Sequence, residues 1–322
     1  MKLNVAVVCG GRSGEHEVSL LSAASVRKAL DAERYNVLDY FISKEGKWSP
    51  RAILPEPEGN PGIDVVFPVL HGTFGEDGTM QGLLELADLA YVGPGVLASA
   101  AAMDKEVAKR LCLQAGLPVV EYILAGKDFD CSRNPFGYPV FVKPANLGSS
   151  VGISKARNCD ELAAAVKNAA QYDHKVIVER AIIGQEIECS VLGNGEAVAS
   201  TPCEILPSRE FYDYDDKYVL NRTETRLPAN VTAGQIAEVR RIAVECYRAL
   251  QCEGMSRVDF LLEQSSGKLY VNEVNTIPGF TSISMYPKMW EYDGLAYSKL
   301  LDRLIELALE RHAARRVLRY TR

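Results

Sequence analysis

The chain has 322 residues, 47% apolar and 24% charged, which suits a soluble globular protein of two or three domains with ample core. A net charge of −6 with no long basic run argues against a nucleic-acid partner, and no apolar run approaches the roughly 20 residues of a membrane span. The eight cysteines include no C-x-x-C pair, so the usual zinc and redox spacings are missing. Several sit in apolar runs as small hydrophobes, and the lack of a signal-peptide pattern adds to an expectation of the reducing cytoplasm.

Leu3 to Val8 is a short apolar run ending at Gly10-Gly11, which reads as a buried parallel strand entering a tight turn. A helix is expected over Val18 to Leu30, strands over Val65 to Leu70 and Ala90 to Val92, and hence a doubly wound first domain ending near Leu97. Asp104 to Ala115 reads as a helix closed by Gly116 and Pro118. Strands over Val140 to Lys143 and Val151 to Ser154 bracket a polar turn, Pro144 to Ser150. With a helix over Asp160 to Gln171 and a strand over Lys175 to Glu179, they make a small α+β unit ending near Gly184. Glu186 to Leu192 alternates like an antiparallel strand. Pro207 to Pro228 is polar and aromatic without a period, a length of loop that is usually functional or disordered. Thr232 to Leu250 and Leu295 to His312 read as helices.

Between those last two helices lies the most informative stretch, Arg257 to Gly279. Two strand-like runs flank Ser265-Ser266-Gly267, a three-residue loop with Gly in the left-handed position. That loop pairs Gln264 with Lys268, Asp259 with Glu273 and Arg257 with Asn275, all four of the latter on one face. The other face, with Val258, Phe260, Leu262, Tyr270 and Val274, is apolar enough for a core. Opposed carboxylates repel unless a cation lies between them. The set Asp259, Glu273 and Asn275 is all-oxygen and suits Mg2+ or Mn2+ completed by substrate phosphates; a solvated charged face is the ordinary alternative.

Other segments carry weaker signals. Gly10 to Glu17 is a G-G-x-x-G strand-to-helix turn, not the dinucleotide fingerprint. Its Glu15 could hold a ligand ammonium or merely complement the helix dipole. Lys143 followed by Gly148 to Gly152 makes a plausible phosphate flap, or an ordinary turn. No Walker motif is present. Lys105 sits in a first helical turn, where cations are disfavoured unless an anion is bound. The aromatics of Phe211 to Tyr218 could anchor a lid that excludes water. Pro278-Gly279 stops a strand where a backbone N–H could approach an oxyanion.

In this order the pieces resemble the D-alanine–D-alanine ligases of the ATP-grasp superfamily, from Val5 to about His312. The matching stretches are G-G-R-S-G-E-H-E-V-S (10–19), L-H-G-T-F-G-E-D-G (70–78), M-D-K (103–105), F-V-K-P-A-N-L-G-S-S-V-G (141–152), F-Y-D-Y-D-D-K-Y (211–218), R-V-D (257–259) and E-V-N-T-I-P-G-F-T (273–281). The resemblance implies an α/β and α+β three-domain ATP-grasp fold: an N-terminal doubly wound parallel-sheet domain (1–97), a central subdomain (98–184) and a C-terminal subdomain (185–322), with ATP between the last two. Lys105 and Lys143 would contact ATP phosphates, Glu179, Arg180 and Ile182 would line the adenine pocket, and Glu186 would bind the ribose. Lys217 would reach the transferred phosphate, and Asp259, Glu273 and Asn275 would hold two Mg2+ ions. Arg257 and the Gly279 amide would stabilise a tetrahedral intermediate. Glu15 would hold the ammonium of the first D-alanine, linked through Ser149 to Tyr218. His71 would also bind substrate, and Ser284 and Met285 would border the carboxylate of the second D-alanine.

The implied reaction joins two D-alanines through an acyl phosphate to supply peptidoglycan synthesis, in a cytoplasmic homodimer. Two departures stand out: Glu179-Arg180-Ala181-Ile182 where many members carry E-K and a bulkier residue, and a short stretch from Gly126 to Phe136. The competing expectations are a ligase for D-serine or D-lactate, a nicotinamide dehydrogenase, and a nucleotide-binding regulatory protein on an inactive scaffold. Members that make the D-lactate ester typically lack the tyrosine found at Tyr218.

Overall fold

The computed structural model describes residues 2–126, 129–206 and 224–320. Its first layer is built on β1 (Leu3–Gly10), buried on both faces from Val5 onward as its unbroken apolar run requires. Parallel to it run β2 (Tyr35–Ile42) on one side and β4 (Val65–Val69) on the other. The short β5 (Ala90–Tyr91) extends the sheet beyond β4, and β3 (Trp48–Ser49) closes the opposite edge antiparallel, giving the order β3-β2-β1-β4-β5. Helix α1 (His16–Ala29) carries the chain from β1 to β2, and α2 (Thr79–Leu86) from β4 to β5. Because the chain leaves β1 in one direction and returns on its other side, the strand order reverses between β1 and β4. The crevice beyond their carboxyl ends is the place where such sheets bind ligands. The sequence reading passed over β2 because exposed Asn36 and Asp39 interrupt its apolar run.

The second layer is an antiparallel sheet of β6 (Tyr122–Ala125), β7 (Val140–Pro144), β8 (Ser154–Ala156) and β9 (Val176–Arg180), in the order β6-β9-β7-β8. Helix α5 (Cys159–Ala169) covers it with Leu162, Ala165, Val166 and Ala169, and Asn158 caps the helix by accepting from the Glu161 N–H at 2.9 Å. The expected strand over Val151 to Ser154 is displaced to Ser154–Ala156. Ser149, Ser150 and Gly152 all have positive φ, so the turn after β7 continues further than composition suggested. Cys131 and Cys159 form a disulfide, a pairing not foreseen from the sequence, and the other six cysteines are free and buried.

The third sheet contains β10 (Gly184–Gly193), β11 (Val198–Ala199), β12 (Cys203–Leu206), β13 (Glu224–Arg226), β14 (Gly254–Glu263) and β15 (Leu269–Asn275). Its main path is β13-β12-β10-β14-β15, with β11 on β10. Helix α6 (Ala233–Ala249), opened by a Thr232–Gln235 capping box, packs on it together with α3 (Val96–Met103) and α4 (Lys105–Gln114). After β15 the chain turns back to the first layer. Helix α7 (Met285–Tyr292) contributes Tyr286 and Trp290, and α8 (Tyr297–Arg316) contributes Leu300, Leu301, Leu304, Ile305 and Leu307, to one core with Val5, Val7, Val65 and Phe67. Each such buried leucine contributes about 1.5–3 kcal/mol. Arg311 on α8 donates to the carbonyl oxygens of Tyr91, at 2.9 Å, and of Gly93. The first and third layers are thereby held together, and the crevice of the first sheet opens onto the third. No helix among the described residues is long and apolar enough to cross a membrane.

Candidate active site

The hairpin β14–β15 sets Asp259 opposite Glu273 and Arg257 opposite Asn275, the pairs expected from sequence. It reaches them by a different route. Glu263, not Gln264, faces Lys268, so the loop has four residues, 264–267, with Gly267 at φ +69°. A β-bulge at Asn272 then inserts one residue and restores the register. The two deviations cancel at the acidic residues but not between them. Val271, opposite Phe260, joins the core, while Tyr270, expected in that core, falls on the other face. There its ring lies under the Arg180 guanidinium, 5.5 Å from ring centroid to Cζ.

Glu188 on β10 is the register partner of Asp259, so Glu188, Asp259 and Glu273 stand abreast on three neighbouring strands. Strands about 4.8 Å apart bring the carboxylates of such a row into mutual repulsion. Arg257 meets part of that charge. Its guanidinium forks onto Asp259 through two 2.7 Å hydrogen bonds and approaches Glu188 at 3.2 Å. Burial pulls the Arg257 pKa down, but Asp259 and Glu188 outweigh it and hold the group well above its usual value. Asn275 donates to Asp259 at 2.9 Å, and the Lys105 ammonium stands 3.9 Å from Glu273. Two carboxylates and a carboxamide on one face form a hard oxygen set that fits a divalent cation completed by phosphate oxygens. Among the described residues no cluster of three or more His, Cys, Asp or Glu side chains forms a self-sufficient metal cage.

This row is the wall between two cavities. The larger, about 640 Å³, opens between the second and third sheets and is bordered by Lys105, Lys143, Ile182, Glu186 and the backbone around Gly148. The smaller, about 210 Å³, lies at the crevice of the first sheet and is bordered by Glu15, His71, Ser149, Gly279, Ser284 and Met285. Glu188, Arg257 and Glu273 border both.

In the smaller cavity Glu15 sits at the N-cap of α1 with no side-chain hydrogen bond to the helix backbone. Its carboxylate instead accepts from the Ser149 hydroxyl, linking the first sheet to the turn after β7. Ser149 and Ser150 have φ of 52° and 58°, a left-handed stretch that aims the turn at Glu15. A Cβ at Gly148 would come within 2.9 Å of Glu15 Oε2, so a larger residue there would displace that carboxylate. His71 is buried, 3.0 Å from the Ile277 carbonyl oxygen and 3.1 Å from Ser22 Oγ, and burial lowers its pKa. The sequence reading missed Glu76, buried at the same crevice. It accepts from the Gly72 N–H at 2.8 Å and the Ile277 N–H at 3.3 Å, and burial, reinforced by the charge of Glu15, pushes its pKa up to about 8. Its signal was the motif 70–78, in which no role was assigned to it. Ser284 Oγ accepts from the Thr281 N–H at 3.0 Å and holds the loop that carries Gly279.

In the larger cavity the Lys105 ammonium donates to the Leu147 carbonyl oxygen at 2.6 Å. Lys143 contacts Glu179 at 2.6 Å and donates to Asn272 at 3.1 Å. The Arg180 side chain is held by Glu121 at 2.6 Å, Glu263 at 2.7 Å and the Tyr270 hydroxyl at 3.0 Å, and it borders the cavity together with Ala181 and Ile182. Lys217 and Tyr218 lie outside the described residues.

The family models decide the relationship. The model described as D-ala D-ala ligase C-terminus matches residues 111–306, and that described as D-ala D-ala ligase N-terminus matches 4–59 and 50–94. The chain belongs to the D-alanine–D-alanine ligase family. A D-alanine--D-alanine ligase of Solibacter usitatus is 62% identical over 100% of both chains, and one of Heliobacterium modesticaldum is 49% identical over 97% of this chain and 96% of its own. Among solved structures, the D-alanine-D-alanine ligase of Coxiella burnetii superposes with a TM-score of 0.88 at 37% identity, over 98% of this chain and 96% of that one. A D-Ala:D-Ser ligase of Enterococcus faecalis superposes with a TM-score of 0.85 at 36% identity, over 96% and 100%. The fold is that of these ligases, and family membership implies ATP and a divalent metal.

Proposed function

We propose that this ligase joins two D-alanines to D-alanyl-D-alanine with conversion of ATP to ADP and phosphate, in the cytoplasm and for peptidoglycan precursor synthesis. The observation that carries the reading is the pair of cavities meeting at Arg257 and Glu273, one of about 640 Å³ bordered by Lys105 and Lys143 and the other of about 210 Å³ bordered by Glu15. Work is divided among residues 1–97, which receive the first D-alanine, and 98–184 and 185–322, which enclose the nucleotide.

The reading assigns Lys105 and Lys143 to the ATP phosphates, Glu179, Arg180 and Ile182 to the adenine wall, Glu186 to the ribose and Lys217 to the transferred phosphate. Asp259, Glu273 and Asn275 hold Mg2+ or Mn2+, two ions in all. When bound, the metal neutralises phosphate charge during transfer. Glu15 holds the ammonium of the first D-alanine, steadied by Ser149 and, through it, Tyr218, while buried His71 supports the same wall. The carboxylate of that D-alanine takes up the γ-phosphoryl group and becomes an acyl phosphate. Ser284 and Met285 border the carboxylate of the second D-alanine, whose deprotonated amine attacks the acyl carbon. Arg257 and the Gly279 N–H stabilise the oxyanion that forms, and phosphate leaves with its bonding electron pair. Excluding water protects the acyl phosphate from hydrolysis. The reading includes a homodimer, on family resemblance, which sedimentation velocity tests.

Phosphate release with ATP, Mg2+ and D-alanine tests the reading directly. Turnover that depends on D-alanine and yields the dipeptide supports it, and ATP binding without turnover overturns it. The likeness to a D-Ala:D-Ser ligase makes D-serine the competitor to offer as acceptor in the same assay.

A further inference from the structure

Glu179 on β9 is 2% exposed and stands between two ammonium groups. Lys143 Nζ is 2.6 Å from Glu179 Oε2, and Lys109 Nζ is 2.9 Å from Glu179 Oε1. Lys109 projects from α4 one turn beyond Lys105, is itself 2% exposed, and lies behind Glu179 with the Tyr122 ring centroid 5.8 Å away. Lys143 and Glu179 border the larger cavity and Lys109 does not. Taken alone, two ammoniums and one carboxylate carry a formal excess of one positive charge, and Glu273 and Glu186 at the cavity border also attract it through Lys143. A single buried lysine–glutamate pair is self-neutralising, and its ammonium has little attraction left for a third group. A buried excess charge is costly until an anion meets it.

We propose that Lys109 is a positioning residue for the nucleotide phosphates: it occupies one oxygen of Glu179 and so leaves the Lys143 ammonium with charge to offer the cavity. Lys109 touches no substrate and acts only through Glu179. Burial pulls the Lys109 pKa down against the attraction of Glu179, whereas for Lys143 burial is outweighed by Glu179 and the ammonium is held above its usual value. Burial tends to raise the pKa of Glu179, but the two lysines overcome it and hold the carboxyl down at about 2, ionised throughout the working range. The same arrangement explains a buried lysine at a site where packing alone favours an apolar residue.

The proposal rests on the nucleotide reading of the larger cavity, and the test separates the two. The full-length protein with Mg2+ and no D-alanine is titrated calorimetrically with ATP and, separately, with adenosine, which has the base and ribose but no phosphate. Lys109→Met removes the charge, and Lys109→Gln removes it while keeping a polar side chain beside Glu179. Circular dichroism checks the fold of each. Both variants are expected to lose roughly tenfold or more in ATP affinity, the worth of a charge-assisted contact. Adenosine affinity and the KM for D-alanine stay within about twofold of wild type, a change below the scale of any such contact. Equal losses for ATP and adenosine would reduce Lys109 to a packing residue, and unchanged ATP affinity in both variants would overturn the proposal outright. If Lys143→Met also left ATP affinity unchanged, the nucleotide reading itself would fall.

Discussion

Glu76 allows a test of the site that needs no substrate. Its carboxyl is buried at the first-sheet crevice, and burial, with Glu15 adding repulsion, raises its pKa from 4.5 to about 8 against the pull of the Gly72 and Ile277 N–H groups. In the unfolded chain the same carboxyl ionises near 4.5. Between those two pH values the folded state binds the extra proton, so stability falls as pH rises. The contribution is complete below about pH 4.5 and gone above about pH 8. At 1.36 kcal/mol per pH unit the full displacement corresponds to about 5 kcal/mol, an upper bound because buried sites relax and admit water. A realised loss of about 2–3 kcal/mol is expected, or about 3–4 °C in melting temperature for a protein of this size. Glu76→Gln keeps the side-chain volume and cannot titrate. Melting curves of ligand-free wild type and Glu76→Gln, taken from pH 5 to pH 9, should therefore diverge, with wild type losing ground until about pH 8 and the gap constant thereafter. A gap that is flat over this range, or that closes as pH rises, would refute the assignment of a buried, proton-holding Glu76.

Asp259→Asn and Glu273→Gln are each expected to abolish D-alanine-dependent ADP formation with the fold intact by circular dichroism; near-wild-type turnover in either would remove that carboxylate from the metal set. Glu15→Gln should weaken the first D-alanine by about 1.5–3 kcal/mol, the worth of a charge-assisted hydrogen bond, and ATP far less. Calorimetric losses equal for both ligands would make Glu15 a structural residue. Tyr218→His introduces a side chain that is partly cationic near neutrality, which repels an incoming ammonium but not the hydroxyl of D-lactate. The depsipeptide-to-dipeptide ratio should rise, most clearly below pH 7, and a ratio constant across pH would leave Tyr218 no part in acceptor choice.

Much of the site was legible because its motifs sit where local rules are strong. The apolar run of β1 ending at two glycines, the Asp104 cap that accepts from the Glu106 and Val107 N–H groups at 3.1 Å, and the Thr232–Gln235 box all follow from short-range chemistry. The same holds for the facing of Asp259 and Glu273, which survived an error in the loop only because the bulge at Asn272 supplied the missing residue. Tyr270 shows the limit of that reasoning. Strand parity has no memory of a bulge, so Tyr270, between loop and bulge, was assigned to the wrong face.

Composition and spacing thus determined that the chain is an α/β and α+β protein with an acidic, metal-suited hairpin, a Glu15 turn and a small-residue flap at Gly148–Gly152, since periodicity and turn chemistry act over a few residues. Tertiary structure decided the rest. It placed Glu188 beside Asp259, Glu76 behind Glu15, and Lys109 against Glu179, contacts whose partners come from different strands and helices. It also returned α8 to the first sheet, where its leucines share a core with Val5 and Phe67. Burial and charge pairing of this kind depend on which surfaces meet when the layers close, and no local pattern records that meeting.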